Sequence, residues 1–414
     1  MPPPGPIRRL DNKKKVTDSQ SVTEAGWPQW RGPNRDGITA WLPGTLPENP
    51  EPNWVMDLPS EGIGGLSATK DWVVVGSREF SDTSDILTCH AATDGREIWR
   101  VVYPALGDLD YGNSPRATPL VVGDKVVLAG AFGNVTVVNL ADGKVCWEKN
   151  LKFEFGAAVP IWGFCGSPLA VEVKPQGQAK QVLVLQPGTE KAALVGLDLN
   201  SGEVLWKTKG QQPGYSSLIV GEFGGVHQIV GYDKTRICGW DPQQGTELWS
   251  HTPDFDGDFN VPTPINLDGK LFLTTENNGS RLFGFDEAGK LLPEPLAVNQ
   301  DLAPDTHTPV RVGRYLCGLG DRLYCLSQSD LKTVDSISND DVAVYGSVIS
   351  DGKSRMLIAT LEGKLLLVEL KQQQLKLVSE VQIFDGEIMA HPAMVGKSHL
   401  ELPIQVREER VVEI

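Results

Sequence analysis

Four times this chain writes a glycine, three intervening residues and a tryptophan: DGREIW at 94–99, DGKVCW at 142–147, SGEVLW at 201–206 and QGTELW at 244–249. The tryptophans Trp99, Trp147, Trp206 and Trp249 stand 48, 59 and 43 residues apart. A recurrence of that length belongs to arrays of similar units, each too small to bury its own apolar face, and not to a single-core domain.

The surroundings of each copy repeat as well. In the second, VTVVNL at 135–140 runs into Ala141-Asp142-Gly143 and leaves through KVCWEK. Asp-Gly between two apolar runs predicts a hairpin whose two turn residues take positive φ angles. An independent signal is a Ser or Thr, usually before Pro, opening an apolar run. These anchors are Ser67, Thr118, Ser167, Ser216, Thr263, Thr308, Ser347 and, in altered form, His391. Their spacings of 51, 49, 49, 47, 45, 39 and 44 residues count eight units.

Between anchor and tryptophan phrase lies a further run, such as WVVVG at 72–76 or KLFLTT at 270–275. Each unit therefore holds four short strands, the composition of a propeller blade. The expected fold is all-β, an eight-bladed β-propeller of four-stranded antiparallel blades, with seven blades as the alternative. Proline after the anchor removes a ladder donor, which suits an innermost edge strand facing a central channel. From His391 onward 24 residues remain, enough for three strands, so NWVMDLP at 53–59 is expected to supply the fourth and close the ring. Trp54 then joins Trp99, Trp147, Trp206 and Trp249 as structural blade tryptophans packing sheet against sheet.

These phrases, together with WPQWRGPNRDGI at 27–38, resemble the pyrroloquinoline-quinone-like repeat propellers, whose superfamily includes outer-membrane assembly factor propellers and quinoprotein alcohol dehydrogenases. The resemblance runs from about residue 27 to the end and weakens after 285, where Pro293 stands in place of the tryptophan that Gly289 leads one to expect. The expected organisation is a basic and polar disordered leader at 1–26, a segment at 27–52 packing on the ring, and one propeller domain at 53–414. In the 27–52 segment, Trp27, Trp30, Arg31 and Trp41 are expected to pack across one face or rim, the guanidinium stacking or pairing with backbone.

A net charge of −15 and a sequence pI near 4.9 argue against nucleic acid as a partner, since phosphate backbones are bound through clustered Lys and Arg. No stretch reaches the ~18 apolar residues of a membrane span, and the start lacks the apolar core of a secretory signal. Taken as written the chain would stay in the cytoplasm, whereas the resemblance implies export to the periplasm. The six cysteines, Cys89, Cys146, Cys165, Cys238, Cys317 and Cys325, form no C-x-x-C and read as small buried residues.

In a propeller the connections between blades gather around one channel mouth, and loops on a rigid scaffold carry function. Three are long: 104–116, 150–166 and 251–262. They hold carboxylates interleaved with aromatics, among them Asp108, Asp110 and Tyr111, and the sixth connection adds Asp305. The candidate ligand-binding residues are Arg116, Glu154, Trp162, Tyr215, Asn260, His307, Tyr345 and His391. Asp254, Asp256, Asp258 and Asn260 alternate as oxygen ligands of the kind calcium takes, without the closing Glu of an EF-hand loop; the plainer reading is an acidic solvated loop.

The sequence points first to a non-catalytic binding or scaffolding module, a monomer presenting its loop face to a protein or glycan, with no catalytic residues and no cofactor. The alternative is a quinoprotein dehydrogenase oxidising an alcohol or sugar with pyrroloquinoline quinone and calcium. The resemblance implies for such enzymes a pair of adjacent cysteines over the cofactor, and this chain has no Cys-Cys. A third class, a hydrolase or lyase built on paired carboxylates, needs two groups whose environments drive their pKa values apart.

Overall fold

A computed structural model describes residues 8–10, 26–60, 62–339, 341–342, 345–387, 389–396, 399–402 and 410–413. Their strands form eight antiparallel sheets, seven of four strands and one of five. Blade 1 comprises Leu66–Ala68, Trp72–Arg78, Ser84–Ala91 and Glu97–Pro104. Its fifth strand is Arg8–Leu10, which pairs with Glu97–Pro104 on the outer edge, so this blade exceeds the expected four. The rest of the leader expected at 1–26 lies outside the described residues but for Gly26.

The anchor residues open the innermost strands, as the proline signal predicted: Leu120–Val122 follows Thr118-Pro119, Leu169–Val173 follows Ser167-Pro168, and Val310–Val312 follows Thr308-Pro309. Neighbouring anchors are chained by hydrogen bonds. The amide of Thr118 donates to Ser167 Oγ (3.1 Å), that of Ser167 to Ser217 Oγ, that of Ser217 to Thr263 Oγ1, and that of Thr263 to Thr308 Oγ1 (3.0 Å each). In the fourth unit the linking hydroxyl is Ser217, one position beyond the residue the spacing selected. The ring closes as expected: Trp54–Asp57 pairs with Arg410–Glu413 and completes blade 8, whose inner strand is Ala393–Val395.

The core is a circle of apolar layers between adjacent blades. One joins Val74, Leu87 and Cys89 of blade 1 to Val126, Leu128 and Val138 of blade 2; another closes the circle from Leu357 and Leu367 through Ala393 to Leu66 and Val73. Each tryptophan works across such a layer. Trp99 Nε1 donates to Leu140 O (2.6 Å), Trp147 Nε1 to Leu199 O (2.9 Å), Trp206 Nε1 to Pro242 O (3.2 Å) and Trp54 Nε1 to Ala92 O (2.9 Å). Each acceptor lies three residues before the turn glycine of the following blade, and the indole covers that glycine. A Cβ on Gly143 would stand 2.7 Å from the Trp99 ring, and one on Gly245 2.3 Å from the Trp206 ring. The glycine and tryptophan of one phrase thus serve two different interfaces.

The turn itself differs from the expected two-residue form. Gly143 alone has positive φ, at 65°, and its amide reaches back to Asn139 O (2.9 Å), spanning four loop residues. Asp142 instead accepts the Lys144 amide on Oδ1 (3.0 Å), which is the short carboxylate's usual use in a turn.

Candidate functional site

Inner strands run from the anchors toward the turns, so the channel has two distinct ends. At the end beyond the strands lies the segment expected to pack on the ring, and it sits inside the ring. Trp27 bridges to Ala68, Pro28 O accepts the Val121 amide (2.7 Å), and Ile38 bridges to Ser350. From this segment two buried arginines reach up to the anchors. Arg31 donates to Thr308 O (2.8 Å), Pro309 O (2.7 Å) and Asp36 O (3.0 Å); Arg35 donates to Ser167 O and Pro168 O, both at 3.0 Å. Burial lowers their pKa values to about 10 and about 9. Four charge-assisted bonds to carbonyls of two separate blades, with a fifth to Asp36 O inside the segment, make it a plug with spokes. Pairing with backbone was the sequence expectation; Trp41 alone of the four named residues is left exposed.

At the other end, residues just before the anchors enclose a cavity of about 400 Å³. Five of the eight candidate ligand residues line it: Arg116, Trp162, Tyr215, Tyr345 and His391. Trp162 is the hub of its aromatic wall, 4.7 Å from the ring of Tyr215 and 4.7 Å from that of Phe259. Across the mouth the Tyr345 hydroxyl hydrogen-bonds to Tyr111, the chief cause of its raised pKa. Tyr111 has φ 61°, an uncommon left-handed conformation for a ring-bearing residue. On the floor, His391 meets Trp30 of the plug edge to face, with centroids 5.8 Å apart. Burial and the nearby Arg31 charge push its pKa down to about 3, so the ring is neutral at ordinary pH.

The other three candidates are placed elsewhere. Glu154 is exposed on a short helix, Leu151–Phe155, that the sequence reading did not foresee, and it faces Lys149 Nζ at 3.5 Å. Asn150 caps that helix by accepting the Lys152 amide (2.9 Å). Asn260 is buried behind the wall, donating to Asp233 O and Lys234 O. His307 is buried beneath Thr306, 3.2 Å from Gly346 O, and burial lowers its pKa to about 3.

Arg116 lines the cavity, but its guanidinium is engaged. It donates to Trp162 O (3.2 Å), Ser114 O (2.7 Å), Asp110 O (2.8 Å) and Gly112 O (2.8 Å), bracing two mouth loops together. The four oxygen ligands proposed for calcium do not converge. Asp254 and Asp256 are exposed, whereas Asp258 is buried and accepts from Asn277 Nδ2 (2.7 Å) and Asn278 Nδ2 (2.5 Å). Among the described residues no group of three or more His, Cys, Asp or Glu side chains could hold a metal ion.

Sequence reasoning missed Ile63, Phe259, Val261 and Met389 in the lining, and it missed Glu276 altogether. Glu276 lies on a hairpin turn, outside the inter-blade loops, and its Oε1 accepts the Phe259 amide (2.7 Å). Among the described residues its Oε2 is buried without a partner, and so are Asp305 Oδ1 and Ser347 Oγ, both on lining residues. The Glu276 pKa is raised, first by burial and further by Asp258 and Asp305. Cys165 also lines the cavity, half-buried, its thiol pushed up to about 12 by loss of water; Cys146 is exposed, so the uniform buried reading of the cysteines fails at Cys146.

Residues 47–159 and 190–391 match the family described as outer membrane protein assembly factor BamB. The curated outer membrane protein assembly factor BamB of Shewanella oneidensis is 24% identical over 225 residues, 45% of this chain and 52% of that protein. The aligned region thus spans about half the length of that relative. The crystal structure of BamB from Moraxella catarrhalis superposes with a TM-score of 0.57 at 15% identity, covering 88% of this chain and 96% of that one. A europium-containing methanol dehydrogenase superposes at 0.62 with 11% identity, over 91% and 89%. The quinohemoprotein alcohol dehydrogenase ADHIIG of Pseudomonas putida HK5 does so at 0.64 with 10% identity, over 94% and 80%. Identities this low speak for a common propeller fold and leave the chemistry to the site.

Proposed function

The chain belongs to the family of the outer membrane protein assembly factor BamB, and from that premise we propose that it is a non-catalytic propeller that captures a protein partner on its mouth face. The observation carrying this reading is the distribution of exposed apolar residues. Leu106, Tyr111, Phe153, Ile161, Phe255, Phe259 and Tyr345 all stand exposed on the loops around the mouth, and Phe80 tips a hairpin on the same side. Large apolar side chains concentrated on one face mark a contact surface. The opposite end of the channel is filled by the plug, which leaves the mouth as the open end. With the family comes the exported location, which we include in the proposal. No helix among the described residues is long and apolar enough to cross a membrane.

The quinoprotein reading is weaker on charge. Pyrroloquinoline quinone is a planar tricarboxylate held through calcium, and the cavity residues do not fit it. Arg116 has spent its donors on carbonyls, while Asp305 and Glu276 offer carboxylate oxygens that would repel the cofactor.

The test is capture from a solubilised outer-membrane fraction by the immobilised chain. The double variant Ile161→Ser, Phe255→Ser should fold with unchanged circular dichroism and lose the captured partner, while a control change on the outer strands, Val298→Ser, should keep it. Full capture by the double variant moves the site off the mouth. Dye-linked alcohol oxidation after addition of calcium and pyrroloquinoline quinone overturns the non-catalytic reading.

A further inference from the structure

We propose that the mouth cavity receives a cationic side chain, an arginine or lysine presented by the partner. The inference rests on the binding-module reading above and names the chemistry the partner must bring.

Three features of the cavity select a cation. The first is its wall. Trp162, Tyr215 and Phe259 form one aromatic cluster, and Tyr111 with Tyr345 stands across from it. Ring faces carry negative quadrupole potential and attract ammonium and guanidinium groups, Trp most strongly. Apolar side chains would also pack there, so the wall alone does not decide.

The second feature does. Asp305 Oδ1 and Ser347 Oγ belong to lining residues, are shut from bulk water and have no hydrogen-bond partner among the described residues. Buried oxygens without donors are costly, and a group that brings several N–H donors relieves that cost on arrival. A carboxylate acceptor strengthens any such bond when the donor is charged. A neutral apolar occupant would leave both lining oxygens unpaired.

Third, the protein's own cations do not fill the role. Arg116 donates to four backbone carbonyls, Arg31 below the floor to three, and Arg281 on the neighbouring strand to Thr275 Oγ1 (3.0 Å). Among the described residues neither Asp305 nor Glu276 has an ion-pair partner. His391 on the floor is a neutral ring whose Nδ1 is unpartnered. The wider field agrees, since a chain of net charge −15 draws basic partners toward itself. At about 400 Å³ the hollow is within the ~300–1,000 Å³ span of small-ligand pockets and holds a long side chain with its flanking backbone.

The experiment is calorimetric titration of the full chain with an acetylated, amidated Gly-Gly-Arg-Gly-Gly peptide and with its citrulline counterpart, which has the same shape and no charge. The arginine peptide should bind saturably, at least about tenfold more tightly than the citrulline one, the margin expected of one charged bond. Asp305→Asn should erase that margin, and added salt should shrink it. Equal binding of the two peptides, or no saturable heat from either, overturns the proposal with the native protein and so without any question of folding. Agmatine binding as tightly as the arginine peptide overturns the side-chain source and assigns the site to a free amine. Partner capture separates this inference from the one it rests on: an Asp305→Asn chain that captures fully removes the cation and keeps the binding module, whereas an Ile161→Ser, Phe255→Ser chain that captures fully removes the module.

Discussion

Between blades 1 and 2 the Trp99 indole lies over Gly143, whose amide reaches back to Asn139 O; between blades 5 and 6 there is no indole, and the corresponding turn position holds Leu331. Leu331 takes the same left-handed conformation, at φ 54°, and its amide reaches Ser327 O at the same 2.9 Å. Its side chain is fully buried among Leu282, Leu302 and Leu316. The two interfaces therefore fill the same inter-blade space from opposite sides. In one, blade 1 contributes a large ring and blade 2 a bare glycine; in the other the turn of blade 6 carries the bulk and accepts a strained φ to do so. Blade 4 is the transition. Trp249 Nε1 donates to Gln228 Oε1 of its own blade (2.6 Å), and Gln228 Nε2 passes the link to Gly289 O (2.7 Å).

If volume at the interface is what matters, removing it from the tryptophan arc should cost most. Trp99→Ala is expected to lower the unfolding free energy by about 3–5 kcal/mol, read from urea denaturation. Acid should instead act on the other side of the ring, where the hydroxyl chain ends at Thr308 and His307 and His391 follow. Both have folded-state pKa values near 3, below the unfolded value near 6.5, so the unfolded chain binds the extra protons between those limits. Their contribution is intact above pH 6.5 and is lost as pH falls toward 3; stability at pH 5 should be lower than at pH 7 by about 2–4 kcal/mol, and amide exchange should quicken first in blades 6 to 8. A His391→Gln chain whose stability kept the same pH slope would break that assignment.

A reciprocal pair sharpens the comparison. Gly143→Ala adds a methyl against the Trp99 ring at a positive φ, and should cost about 1–3 kcal/mol. Leu331→Gly removes packing yet relieves the backbone, and should cost a similar ~1–3 kcal/mol, less than an ordinary buried Leu→Ala change. Stabilisation by Gly143→Ala would mean the indole is not seated on the turn. Smallest is Gln228→Met, which keeps the shape and leaves the Trp249 N–H and Gly289 O unpaired, for about 1–2 kcal/mol in the same assay.

The tryptophan arc could be read directly from sequence because its bulk sits in one conspicuous residue at a fixed distance from glycine. The other arc hides from a periodic reading: Leu331 looks like any apolar residue, and only the left-handed turn reveals that it occupies a glycine's position. The anchors gave the blade count and the closing strand 54–57 because a proline, having no N–H to give a ladder, is confined to strand edges and so marks the inner edge of each blade. The mouth was legible in part for a similar reason. Arg116, Trp162, Tyr215, Tyr345 and His391 lie just before or beside anchors, where the fold turns side chains toward the axis. Glu276 could not be found that way, since spacing does not say which hairpin turn leans onto which loop. Nor could it show that Arg116 is consumed by carbonyls, or that Cys317 and Cys325 face each other at 2.9 Å in directly opposed positions of one blade.

The closure of the ring also sets a timetable for synthesis. Strand Trp54–Asp57 is translated about 350 residues before Arg410–Glu413, its partner, and Arg31 before the carbonyls of Thr308 and Pro309. At roughly 5–20 residues per second the wait is on the order of tens of seconds. Until Thr308 and Pro309 emerge the plug has only one side of its socket, and the first blade keeps an open face until Arg410–Glu413 follows. The seam is therefore the last contact to form, and a nascent chain stalled before it still shows an unpaired strand edge.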